Sequence, residues 1–99
     1  MRFSMKTAIS QHTTIVQAKE QLCSDLQGEV VILNFKNGEY YGLNAVGARI
    51  WNLIRQPKSV NEILNVLLQE YEAAPFHCQN DLMALLQELA AEELIEIQG

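Results

Sequence analysis

The chain lacks long apolar runs and has only two cysteines and two histidines among its 99 residues. No run approaches the roughly 18 apolar residues that a membrane-spanning helix needs, and residues 1–10 lack the apolar stretch and cleavage site of a signal peptide. We therefore expect a soluble protein of the cytoplasm without a membrane partner. Cys23 and Cys78 lie far apart and form no metal-type pair, so we expect reduced thiols, with a disulfide between them as the alternative.

Catalytic groups in a recognisable arrangement are also missing. His12 and His77 are far apart, and neither has a companion at metal-ligand spacing. His77 adjoins Cys78, but adjacent residues on a helix point in different directions, and no third group is present to orient a base. No glycine-rich turn is followed by Lys-Ser or Lys-Thr, as a phosphate loop requires. We therefore predict no enzyme activity, no catalytic residue, no metal and no cofactor.

Positive charge is scarce in the last quarter of the chain. The formal net charge is -5, and residues 75–99 include no lysine or arginine. The acids in that stretch are Asp81, Glu88, Glu92, Glu93 and Glu96. A protein that grips nucleic-acid phosphates needs cationic side chains that release counterions. The composition therefore argues against a nucleic-acid partner.

The first half of the chain contains segments typical of strands. Thr13–Val16 is rich in β-branched residues and predicts a strand, and residues 29–43 predict a hairpin. Between them, Lys19–Leu26 is polar with isolated apolar residues, which indicates at most one helical turn. Residues 1–11 show no periodic pattern and are predicted to form a flexible tail before a single domain over residues 12–97.

The dipeptide Asn37-Gly38 sets the expected geometry of the hairpin. Asn-Gly between β-formers favours a two-residue type I′ turn, because both central residues must accept positive φ. That turn would place Lys36 opposite Glu39 and would define every pair further along the strands. The strand Glu39–Leu43 comes last and is expected at a sheet edge, where unpaired backbone groups are available to another chain.

Helical periodicity in the second half predicts three helices. Asn44 is a candidate N-cap for Ala45–Arg55, a Ser59–Glu62 capping box opens a second helix, and a third runs from about Cys78 to Glu92. The positions expected to be buried are Val46, Ile50, Trp51 and Ile54 in the first helix, Val60, Ile63, Leu64, Leu67, Leu68 and Tyr71 in the second, and Leu82, Leu85, Leu86 and Leu89 in the third.

The order of these elements predicts the fold class. Strands followed by helices indicate an α+β domain of the winged helix-turn-helix type, a three-stranded antiparallel sheet followed by three helices. The short apolar end Leu94–Ile97 could add a strand or seal the core. A winged-helix DNA-binding regulator is one function of this fold, but its recognition helix would need the arginines or lysines that the third helix lacks.

The hairpin and the helix after it resemble the PqqD-like family. The resemblance is carried by Gly28–Asn34, Tyr40–Asn44 and Val46–Trp51, and it extends over about Thr13–Ile97. It implies a domain that recognises the leader segment of a ribosomally made precursor peptide. Within the family the chain is most similar to the stand-alone leader-binding proteins of lasso-peptide gene clusters. A chaperone for another modified-peptide pathway is the alternative.

The resemblance also implies a site and partners. In such proteins the leader adds as a strand beside the third strand and lies against the third helix, and a separate cysteine-type leader peptidase and an ATP-dependent cyclase perform the chemistry. Carried onto this chain, the leader-binding residues are Glu39, Tyr40, Tyr41, Gly42 and Leu43 on the strand, and Cys78, Asp81, Leu82, Leu85 and Glu88 on the helix. From the residues alone, the two tyrosines could instead serve only in packing.

Overall fold

The computed structural model describes residues 9–19, 21–71 and 75–98, which form two sheets and three helices. The elements are β1 (Thr14–Gln17), β2 (Gln21–Leu26), β3 (Glu29–Asn34), β4 (Tyr40–Leu43), α1 (Ala45–Leu53), β5 (Lys58–Ser59), α2 (Val60–Glu70), α3 (Pro75–Ala91) and β6 (Ile95–Gln98). The predicted tail falls mostly on residues 1–8, which lie outside the described residues. Ile9 is buried, and the Asn61 backbone N–H donates to the Gln11 carbonyl.

Both sheets are antiparallel and three-stranded. β3 lies between β2 and β4 in one sheet, and β1 lies between β5 and β6 in the other. The first sheet followed by the helices confirms the predicted α+β class. β1 does not join the hairpin sheet, because its partner is the C-terminal strand β6, in which Ile97 lies opposite Ile15. Of the two outcomes expected for the apolar C-terminal end, the strand is the one that the structure contains.

The expectation of a helical turn over Lys19–Leu26 is wrong, because most of this segment is strand β2. It pairs with β3 along its whole length, from Gln21 opposite Asn34 to Leu26 opposite Glu29. The connecting residues Gln27 and Gly28 have φ of 56° and 85°, the two positive values that a type I′ turn requires. The polar composition of β2 reflects a strand at the sheet edge that is largely exposed.

The predicted register of the next hairpin is also wrong. Tyr41 lies opposite Ile32 rather than Asn34, and Glu39 lies opposite Asn34 rather than Lys36. The loop is longer than a two-residue turn, since the Asn34 N–H donates to the Glu39 carbonyl at 2.9 Å and four residues lie between them. Gly38 alone of the Asn-Gly pair has positive φ.

Asn34 explains why the longer loop is favoured. This side chain is 5% exposed, its Oδ1 accepts from the Lys36 N–H, and its Nδ2 donates to the Glu92 carbonyl at 2.7 Å. A two-residue turn would place Lys36 in the strand and remove the first of these bonds. The register shift is two residues, so each side chain stays on its predicted face of the sheet.

The predicted helix caps are confirmed. Asn44 Oδ1 accepts from the Gly47 N–H, and Ser59 and Glu62 form the complete capping box at the start of α2. Two helix boundaries differ from expectation: α1 ends at Leu53, and α3 already begins at Pro75, which is compatible with the first turn because proline has no N–H to satisfy.

The core lies between the helices and the inner faces of both sheets. Trp51 is fully buried at its centre, as predicted. The other residues with almost no exposed surface are Ile15, Val30, Ile32, Ile54, Val60, Ile63, Leu82, Leu86, Leu89 and Leu94. Two positions predicted to be buried are exposed, Val46 at 43% and Tyr71 at 37%, and Leu68 and Leu85 are half-buried. Val46 and Tyr71 belong to the groove described next.

Candidate functional site

β4 forms an open edge of its sheet. Among the described strands its one neighbour is β3. Because Asn34 and Glu39 form a hydrogen-bonded pair, the alternation of an antiparallel ladder makes Tyr41 and Leu43 the next residues bonded to β3. The N–H and C=O groups of Tyr40 and Gly42 therefore point away from β3, towards the open side.

An apolar groove of about 620 Å³ begins where β4 ends. Its lining residues are Asn44, Val46, Gly47 and Ile50 from the start of α1, Leu67 and Tyr71 from the end of α2, and Cys78, Asp81, Leu82 and Leu85 from α3. The α3 residues recur at intervals of three and four, so they share one helix face. The groove thus lies between the three helices, and Asn44, directly after β4, belongs to its lining.

Close packing of α1 on the end of β4 shapes the mouth of the groove. A Cβ atom on Gly47 would lie 3.1 Å from Leu43 Cδ2, so glycine permits the helix to approach the strand this closely. The approach keeps Leu43 buried and leaves the neighbouring Val46 side chain exposed in the groove. The first turn of α1, which follows β4 directly, therefore contributes to the candidate site together with β4.

The two tyrosines of β4 face opposite sides of the sheet. Tyr41 shares the inner face with buried Ile32, and its hydroxyl donates a hydrogen bond to Glu88 of α3. Burial first, and then the bond to the Glu88 carboxylate, raises the pKa of Tyr41 to about 12. Tyr40 lies opposite Leu33 on the outer face and is 72% exposed. Tyr41 is therefore the tyrosine that connects the strand to α3.

Two further contacts hold the hairpin against the end of α3. Asn34 donates to the Glu92 carbonyl as described, and Lys36 Nζ forms an ion pair with Glu93 Oε1 at 2.7 Å. With the Tyr41–Glu88 bond, these contacts position β4 beside the C-terminal half of α3. The ion pair is exposed, so its stabilisation is small, and the buried Asn34 bond is the more important one.

A bidentate ion pair fixes the opposite wall of the groove. Arg49 Nε and Nη2 donate to the two carboxylate oxygens of Glu70 at 2.9 and 2.7 Å. The bond to the guanidinium holds the pKa of Glu70 below its ordinary value. This pair joins α1 to the last residue of α2, directly before Tyr71. It therefore positions Tyr71 at the groove.

The predicted site residues separate into distinct positions. Cys78, Asp81, Leu82 and Leu85 line the groove, and Glu88 lies one turn beyond them. Tyr40 and Gly42 present their backbone to the open edge, Tyr41 contacts α3, Leu43 is buried beneath the groove mouth, and Glu39 lies directly before β4. The structure therefore brings the strand set and the helix set to adjacent parts of one surface.

Sequence reasoning missed more than half of the residues that line the groove. The residues it did not assign to the site are Asn44, Val46, Gly47, Ile50, Leu67 and Tyr71. Val46, Ile50, Leu67 and Tyr71 were predicted only as core positions, because helical spacing of apolar residues is the same for a core face and a groove wall. The local sequence contains one signal for this part of the groove. The N-cap Asn44 is followed three positions later by Gly47, which permits α1 to pack closely on β4.

The groove has few groups suited to catalysis. Burial and the nearby charge of Asp81 raise the pKa of the Cys78 thiol, which disfavours the nucleophilic thiolate. Within residues 9–19, 21–71 and 75–98, no group of three histidines, cysteines or acids could hold a metal ion. In the same residues, no helix combines the length and apolar character needed to cross a bilayer.

Fold and site together define a winged-helix-like α+β domain with an open sheet edge beside an apolar groove. The chain belongs to the PqqD family, described as coenzyme PQQ synthesis protein D, whose sequence pattern matches residues 29–95. No curated protein gives a significant match.

Two solved structures have a similar fold. TbiB1, in complex with the TbiA(beta) leader peptide, has 34% identity and a TM-score of 0.76, over 82% of this chain and 94% of TbiB1. A lasso peptide synthetase B1, complexed with its leader peptide, has 23% identity and a TM-score of 0.73, over 83% of this chain and 96% of that one. The second likeness concerns the fold alone.

Proposed function

We propose that this chain binds the leader segment of a ribosomally made precursor peptide, of the lasso class, by β-strand addition along β4. The bound leader is then presented to a separate cysteine-type leader peptidase and an ATP-dependent cyclase in the cytoplasm. The observation that carries the proposal is the open β4 edge near an apolar groove, in a chain 34% identical to a protein whose structure was solved in complex with a leader peptide.

Backbone pairing at β4 would supply affinity. A peptide strand added there would form hydrogen bonds with the outward N–H and C=O groups of Tyr40 and Gly42. These main-chain bonds do not depend on the side chains of the peptide. Gly42 is exposed, and a Cβ at this position would meet no atom within 4 Å, so no side chain covers the strand at this point. The edge therefore suits a partner in extended conformation.

The groove would supply selectivity. Leu82, Leu85 and Ile50 form an apolar surface that can receive one or two side chains of the added strand or of the residues that follow it. Burial of a large apolar side chain contributes about 1.5–3 kcal/mol. Because the groove is continuous with the end of β4, one peptide could pair with the edge and fill the groove at the same time.

The proposal assigns no catalytic step to this chain. The raised pKa of the Cys78 thiol argues against a nucleophile in the groove, and the role needs neither metal nor cofactor. Leader cleavage and ring closure are then tasks of partner enzymes. The scarcity of positive charge on α3 likewise argues against the DNA-binding role that other winged helices perform.

The test uses two variants of one residue. Gly42→Pro removes the outward N–H and obstructs strand pairing, whereas Gly42→Ala keeps the N–H and adds only a methyl group in open space. With the fluorescent TbiA(beta) leader peptide as probe, Gly42→Pro should weaken binding at least tenfold, about 1.4 kcal/mol. Gly42→Ala should bind like the unmodified protein, and urea unfolding must show that both variants are folded.

Backbone amide shifts on adding the peptide give an independent check. The amides of Tyr40 and Gly42 should shift strongly, together with those of Asp81 and Leu85 on α3. Shifts confined to the outer side of α2, with β4 silent, would contradict the proposed site. Equal binding by Gly42→Pro and Gly42→Ala would contradict strand addition.

A further inference from the structure

Negative charge surrounds the groove without a cation among its lining residues. Asp81 lines the groove and is exposed, and Glu88 lies on the same face of α3 one turn beyond Leu85. None of the described residues that line the groove is lysine, arginine or histidine. The apolar surface of the groove is therefore bordered along α3 by carboxylates.

Two basic residues, one of the hairpin loop and one of the groove wall, are already engaged in ion pairs. Arg49 forms its bidentate pair with Glu70, and Lys36 forms its ion pair with Glu93. Glu88 accepts a hydrogen bond from the Tyr41 hydroxyl. Asp81 and Glu88 therefore present their carboxylates to a peptide that lies between β4 and α3.

The spacing of the two carboxylates matches an extended peptide. Asp81 and Glu88 are seven residues apart, which is about 10 Å along a helix axis. An extended chain covers the same distance in about three residues. A strand lying beside α3 could thus bring cationic side chains two to four positions apart near both carboxylates, with apolar side chains between them in the groove.

We propose that the groove selects leader segments in which apolar residues are flanked by lysine or arginine. The inference rests on the proposed function and specifies the charge of the peptide that the site takes. Each exposed carboxylate should increase the affinity for a cationic peptide about threefold, which lies within the range typical of solvent-exposed ion pairs. The preference should decline at high salt, because the Debye length falls to about 3 Å at 1 M.

The experiment selects peptides without assuming a sequence. A phage-displayed library of random peptides is panned on the intact chain, and the enriched sequences are compared with those from Asp81→Asn, Glu88→Gln and Gly42→Pro. The matched control is Glu96→Gln, which removes the same charge from β6 in the other sheet. One enriched peptide and its lysine-to-glutamine analogue are then titrated by calorimetry against each variant.

The outcomes separate the inference from the proposed function. Enrichment of lysine and arginine beside apolar residues, reduced by Asp81→Asn and Glu88→Gln but kept by Glu96→Gln, supports the inference. Peptides that depend on an intact Gly42 but show no cationic preference overturn it and leave leader binding in place. Selection of no peptide above the Gly42→Pro background overturns both.

Discussion

Removing the Tyr41 hydroxyl tests how β4 is held beside α3. Tyr41→Phe keeps the ring on the inner face of the sheet and deletes the donor to Glu88. A hydrogen bond to a charged group typically contributes about 1.5–3 kcal/mol to stability. Because this bond is exposed to solvent, which screens it, we expect a loss of about 1 kcal/mol in unfolding free energy at neutral pH.

The dependence on pH has a definite sign. A pKa that is higher in the folded state means that the protonated phenol stabilises the fold. This stabilisation is complete below the unfolded-state pKa near 10 and is lost as the pH rises through about 12. The difference between the unmodified protein and Tyr41→Phe should therefore be constant at neutral pH and shrink over that interval.

Urea unfolding followed by circular dichroism measures the effect, and absorbance titration near 295 nm should show a phenol step near pH 12 that Tyr41→Phe lacks. The melting temperature of Tyr41→Phe should fall by about 5 °C. Tyr40→Phe is the matched control, since Tyr40 is 72% exposed on the other face of the same strand. Identical midpoints for the two variants would refute the role given to the Tyr41–Glu88 bond.

Two further predictions follow from the loop and from the groove chemistry. Gly38 has φ of 72°, so Gly38→Val should lower the unfolding free energy by more than about 1 kcal/mol, and an unchanged urea midpoint would contradict the loop geometry. The purified chain should leave a precursor peptide intact and should stimulate cleavage only when the separate peptidase is added. Cleaved leader in the mass spectrum of the chain and precursor alone would disprove the non-catalytic role.

Much of the fold could be predicted because local signals carry it. The caps Asn44 and Ser59 and the helical spacing after them do not depend on distant contacts, and both caps are present as expected. The faces of the hairpin also follow from alternation, which a two-residue register shift leaves unchanged. The edge position of β4 follows from its place as the last strand before the helices.

The incorrect predictions concern features that depend on distant contacts or on solvent exposure, which the local sequence does not show. In the longer loop the Asn34 side chain accepts from the Lys36 N–H and also donates to the Glu92 carbonyl 58 residues away, a contact that no local pattern reports. β2 was missed because an exposed edge strand has no apolar periodicity, although Gln27-Gly28 supplies a turn. Val46 and Tyr71 were assigned to the core because spacing indicates which residues share a face but not whether another element covers it.

The second edge of the hairpin sheet has its own consequence. β2 is also an edge strand, but Asp25 lies opposite Val30 and places a charge on its inner face, a device that discourages other strands from pairing. The two edges of the sheet are therefore unequal: β4 is open, whereas the charge on β2 disfavours pairing with another strand. Pairing of the β2 edge of one chain with the β4 edge of another is therefore disfavoured. We expect the chain alone to stay free of edge-to-edge assembly, with no growth into fibres at high protein concentration.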